Sequence, residues 1–119
     1  MDRLLKRLNP AQREAVYHRS GPLLVLAGAG SGKTTTMATR IAYLIAKHGI
    51  RAENILGLSF TRKAANELKE RVERMVAETS GREKAKGLTL STFHALCVRI
   101  LRARASEIGY SRDFTILDE

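Results

Sequence analysis

The chain is poor in cysteine, in acidic residues and in long apolar runs. One cysteine, Cys97, stands among 119 residues, so no internal disulfide can form and a thiolate metal cluster is excluded. No apolar run approaches the roughly 18 residues of a membrane span. The start, Met1-Asp2-Arg3-Leu4-Leu5-Lys6-Arg7, is too short and too charged for a signal peptide. The chain is therefore expected in the cytoplasm, with no membrane partner. No internal repeat, low-complexity tract or linker divides it. Asp and Glu number 12 against 21 Lys and Arg, a formal net charge of +9. That shortage of acid favours a polyanionic partner and says nothing about fold. Hydrophobic residues at 44% and charged residues at 28% are ordinary for a globular domain. The length suits one domain with a single core.

Apolar strands alternate with amphipathic helices, the pattern of an α/β fold with a parallel sheet. Asn9-Pro10 opens a helix to about residue 19, with Asn9 as N-cap and Pro10 in the first turn. Gly21-Pro22 ends it. Leu23-Leu24-Val25-Leu26-Ala27 is a continuous apolar run, expected as a strand buried on both faces. A second helix is expected over 32–48, stopped by Gly49, and a strand over 55–60. A long charged helix follows over 63–79, with Ala64, Leu68, Met75 and Val76 near one side and Val72 between them. Its Lys69, Arg71 and Arg74 stand four residues from Glu73, Glu67 and Glu70, the spacing of a solvated, self-paired face. A polar loop over 80–87, a short strand over 88–90 and a helix over 92–108 complete the series, and 113–117 reads as extended.

The sharpest signal is Ala27-Gly28-Ala29-Gly30-Ser31-Gly32-Lys33-Thr34, followed by Thr35, between an expected strand and an expected helix. Small residues let consecutive amides curl toward phosphate oxygens, and the helix N-terminus adds positive potential. Lys33 can meet the β- and γ-phosphates, and the Thr34 hydroxyl can ligate Mg²⁺. The strict pattern begins with glycine, where this chain has Ala27. Alanine is tolerated there if its backbone needs no left-handed conformation. The bland alternative is a glycine-rich turn that merely connects two elements; the intact Gly32-Lys33-Thr34 favours a nucleotide site, with ATP and Mg²⁺ as the cofactors.

With that loop in place, the chain resembles the UvrD/Rep/PcrA group of superfamily 1 DNA helicases, in collinear motifs along nearly its whole length. Leu8-Asn9-Pro10-Ala11-Gln12-Arg13-Glu14-Ala15-Val16 is similar to that family's Q motif, which makes Gln12 the adenine-reading residue. Without the family, Gln12 is an exposed polar residue on an amphipathic helix. Leu58-Ser59-Phe60-Thr61-Arg62-Lys63 resembles motif Ia, which contacts single-stranded DNA. Phe60 would stack on a base while Thr61, Arg62 and Lys63 meet phosphates; taken alone, Phe60 reads as a core residue sooner than as a base platform. Thr89-Leu90-Ser91-Thr92-Phe93-His94 resembles motif Ib, with Thr92 able to cap a helix and donate to a phosphate, and His94 either a DNA contact or a half-buried helix residue. Arg40 matches an arginine that lies near adenine in the family, or is a surface arginine. Cys97 reads as packing.

The resemblance implies a P-loop NTPase (RecA-like) fold, a parallel sheet flanked by helices and incomplete as given. It implies that residues 1–119 are the N-terminal part of the first motor domain of an ATP-dependent 3′→5′ DNA helicase, ending before the acidic metal-binding motif. Asp118-Glu119 match an earlier family stretch rather than that motif. The implied partners are single-stranded DNA, single/double-strand junctions, and the remainder of the helicase chain with its second motor domain and inserted subdomains. Alone, the segment is expected to hydrolyse ATP poorly or not at all. A nucleotide-gated single-strand-binding module without turnover is the alternative. A small-molecule P-loop kinase has no need of Phe60-Thr61-Arg62-Lys63 or Thr92-Phe93-His94.

Overall fold

Local capping chemistry sets several of the helix starts. In the computed structural model, which describes residues 1–30 and 32–117, Asn9 caps helix α2 (Pro10–Tyr17). Its side chain accepts the Gln12 amide at 2.9 Å, and the Gln12 side chain accepts the Asn9 amide at 2.9 Å, a reciprocal capping box. A short preceding helix, α1 (Asp2–Lys6), was not expected. Five residues carry too little periodicity to read; burial of Leu5 with Leu8 and Val16 holds it in place. Helix α3 (Lys33–His48) follows Gly32 and ends at Gly49, which takes φ +61° while the Ile50 amide returns to the Leu44 carbonyl at 3.1 Å.

Strand β1 (Leu56–Ser59) leads through the N-cap Thr61 into helix α4 (Arg62–Thr79). A single 3₁₀ turn (Arg82–Ala85) occupies the expected polar loop before strand β2 (Thr89–Thr92) and helix α5 (Phe93–Ala103). The expected last helix is thus two pieces, because Arg104 breaks it from a 3₁₀ turn at Ala105–Ile108. The two strands pair in parallel, Leu56 opposite Thr89 through Ser59 opposite Thr92. Gly57 lets Leu90 sit close over the strand: a Cβ there would stand 2.3 Å from Leu90 Cδ2 and force that side chain to shift. Helices α3 and α4 supply the core, with Ala38, Ile41, Ala42 and Ile45 of one against Leu68, Val72 and Val76 of the other. The buried edge of α4 is completed by Ala65 rather than by Ala64, which is half-buried.

Mixed helix and parallel strand therefore stand, with one correction. Residues 23–27 are not a strand: no ladder forms, and Leu24 and Leu26 are 83% and 88% exposed. A strand buried on both faces needs a hydrogen-bonded neighbour and cover on each side. Among the described residues β1 and β2 pair with each other, and this segment pairs with neither. Residues 113–117 carry no regular structure, though Phe114 lies under the Arg102 guanidinium, 5.3 Å from its ring centre. Among the described residues no helix is long and apolar enough to cross a membrane.

Candidate functional site

The glycine-rich loop reaches α3 through two left-handed glycines, Gly30 (φ +74°) and Gly32 (φ +83°). Ala27 has no positive φ, which is why alanine is accommodated at that position. A Cβ added at Gly28 or Gly30 would meet no protein atom within 4 Å, so their missing side chains leave open space. The α3 N-terminus has no side-chain cap hydrogen bond and no acidic residue in its first turn, and among the described residues no side chain accepts from its leading amides. Lys33, the first helical residue, is exposed, and Thr34 is half-buried. Open space, uncapped amides and a lysine fit a polyphosphate. The fit for Mg²⁺ is narrower: among the described residues no group of three His, Cys, Asp or Glu forms, and the half-buried Thr34 follows Lys33 at the start of α3. Ser31, expected in this loop, and Asp118-Glu119 lie outside the described residues.

Beside the loop lies a cavity of about 700 Å³, walled by α2, the 21–28 segment and α3. It gathers Gln12, Ala27, Gly28, Lys33 and Arg40, together with His18. Gln12 abuts the loop directly, since a Cβ on Gly32 would fall 2.9 Å from its Nε2. Arg40 is half-buried, and its Nη1 donates to the carbonyls of Ala15, Val16 and His18. It is not the free surface arginine that the sequence left open.

A second cluster sits at the carboxyl ends of the strands, where open parallel sheets place ligands. Because Ser59 stands opposite Thr92, the residues that follow emerge side by side, and the Phe60 and Phe93 ring centres are 5.5 Å apart. Phe60 is 92% exposed, which removes the core reading. Thr61 and Thr92 cap α4 and α5, accepting the amides of Ala64 at 3.1 Å and Ala95 at 3.0 Å. A hydroxyl that accepts a cap bond still has its own O–H to donate. Arg62, Lys63 and His94 are exposed around the ring pair. Arg62 and Lys63 add positive charge to the positive end of the α4 dipole, where no acid offsets it. An anionic ligand would relieve that local conflict.

Two expectations change. Cys97 is exposed rather than packed. The charges of α4 do not pair along the helix; among the described residues the ion pairs within reach are Arg51–Glu53 and Arg104–Glu107. Arg71 donates instead to the Thr35 hydroxyl, one residue beyond Thr34. Nothing in the sequence around Arg71 signals that bond, whereas the spacing of Asn9 and Gln12 does announce a capping box.

Known proteins are similar to this chain along its length. A family model described as the UvrD/REP helicase N-terminal domain matches residues 8–119. The ATP-dependent DNA helicase UvrD1 of Mycobacterium leprae (strain TN) is 53% identical over 119 residues, covering 99% of this chain and 15% of that protein. The ATP-dependent DNA helicase PcrA of Staphylococcus epidermidis is 50% identical over 118 residues, and PcrA of Staphylococcus aureus 48%. The chain spans 15% of the first of these relatives and 16% of the other two. With a match from residue 8 onward and half the positions shared with these helicases, the chain belongs to the UvrD/REP helicase N-terminal domain family.

Proposed function

We propose that this chain is the N-terminal part of the ATP-binding motor domain of an ATP-dependent DNA helicase, built on a P-loop NTPase (RecA-like) plan. The observation that carries the reading is the gathering of Gln12, Ala27, Gly28, Lys33 and Arg40 around one cavity, although they span the chain from residue 12 to residue 40. Adenine lies toward Gln12, whose amide can donate and accept against the base edge. The triphosphate lies along residues 27–35, with Lys33 balancing its charge and Thr34 on Mg²⁺. Single-stranded DNA crosses the Phe60–Phe93 face, with Thr61, Arg62, Lys63, Thr92 and His94 on its backbone or bases. The parent's 3′→5′ translocation, its junction substrates and its second motor domain come from the family.

The 119 residues by themselves are expected to bind ATP and hydrolyse it poorly or not at all, since among the described residues no carboxylate cluster joins Thr34 as a ligand set for Mg²⁺. That same observation favours the second reading, a nucleotide-gated single-strand-binding module without turnover. The test is Lys33→Ala, assayed by titration with a fluorescent ATP analogue. Removing one charge-assisted hydrogen bond should weaken binding about tenfold to a hundredfold, with circular dichroism unchanged. Unaltered affinity would remove the phosphate site from the reading.

A further inference from the structure

The ends of α2 are held by two different devices, and both bear on the same cavity. At its start Gln12 Oε1 accepts the Asn9 amide, which turns Nε2 toward Gly32. At its end the helix leaves carbonyls without intrahelical donors, and its own last turn holds no basic residue. Arg40 supplies the missing cation from α3. Its Nη1 meets Ala15 O at 2.9 Å and Val16 O at 3.3 Å, and also reaches His18 O. A cation at a helix C-terminus satisfies the dipole as well as the carbonyls. Arg40 lies two turns into the helix that Gly32 opens, so loop and clamp share one rigid rod.

We propose that Arg40 is a positioning residue for base selectivity: by clamping the end of α2 to α3 it fixes where Gln12 stands relative to the phosphate loop. This rests on the nucleotide reading above. Arg40 then acts through Gln12, not by touching the base. Phosphate binding depends on the loop and survives without the clamp, whereas discrimination between adenine and guanine depends on the carboxamide being held in place.

The experiment measures the affinities of the 119-residue chain for ATP and GTP in four proteins: unaltered, Gln12→Ala, Arg40→Met and the double variant. Methionine keeps the packed stem and removes the donors. Arg40→Met should lower the ATP-over-GTP ratio by about tenfold, the worth of one well-placed hydrogen bond, with GTP affinity little changed. The double variant should have the ratio of Gln12→Ala alone, because residues acting through one bond are not additive. Equal loss of both nucleotides in Arg40→Met, or additive loss of the ratio in the double variant, overturns the proposal. If Arg40→Met loses its helical dichroism, Arg40→Lys decides. An ammonium can still cap carbonyls, so its ratio should stay within about threefold of the unaltered chain. A folded Lys variant with the ratio of Gln12→Ala would assign a direct base contact and overturn the clamp. Failure of the unaltered chain to bind either nucleotide, or normal binding by Lys33→Ala, overturns the nucleotide reading itself and is told apart by that control.

Discussion

Gln12 serves two neighbours at once, closing the capping box with Asn9 and lying against Gly32. Oε1 makes the capping bond and Nε2 is the atom nearest Gly32. Phe60 is the other telling residue. An aromatic side chain 92% exposed, with a second ring 5.5 Å away, leaves apolar area uncovered that a stacked base would bury. Phe60→Ala should weaken binding to oligo-dT by about 1–3 kcal/mol. Phe93→Ala should then add less in that background than it does alone, because the two rings touch. Unchanged oligo-dT affinity in Phe60→Ala would take this ring out of the interface. The sequence set Phe60 at a strand end beside cations, but its neighbour Phe93 depends on strand register, which no local pattern encodes.

Among the elements, the contrast is between α4 and the 23–27 segment. Both read as buried from hydrophobicity. The apolar stripe of α4 is: Val72 and Val76 are fully buried in the core shared with α3. The apolar segment is not, since a helix satisfies its backbone alone whereas a strand depends on another strand. Urea unfolding should separate them. Val72→Ala should cost about 2 kcal/mol from a core cavity, whereas Leu26→Ser should stay within about 0.5 kcal/mol. A loss of several kcal/mol for Leu26→Ser would mean that the segment is buried in solution. The 3.6-residue stripe of α4 and the glycine stop of α3 were legible for the same reason: each rests on residues within one or two turns.

At the scale of the whole molecule, the Cα radius of gyration is 16.4 Å, above the about 13.5 Å expected for a compact domain of this length. The exposed apolar segment and a sheet of only two strands among the described residues account for that openness. The net charge of +9 acts at this scale too. Affinity for single-stranded DNA should fall steeply with salt. Replacing Arg62 and Lys63 together by alanine should flatten the log–log slope by about 0.7 for each phosphate that is no longer neutralised. An unchanged slope would place the phosphate-binding charge on other cations. Arg71 belongs here as well, since it ties α4, which begins at the Phe60 cluster, to Thr35 beside the loop.

What the sequence by itself determined is local: the caps at Asn9 and Thr92, the glycine-rich approach to α3, the stop at Gly49, and the helical stripes. Each depends on chemistry within a few residues, where backbone geometry leaves few choices. Tertiary structure alone decided the fate of 23–27, the meeting of Phe60 with Phe93, the Arg40 clamp and the Arg71–Thr35 bond. Those last two join residues 22 to 25 and 36 positions apart. Such partners are selected by packing and register, because a long flexible side chain can satisfy its donors in many ways until the fold brings one acceptor within reach.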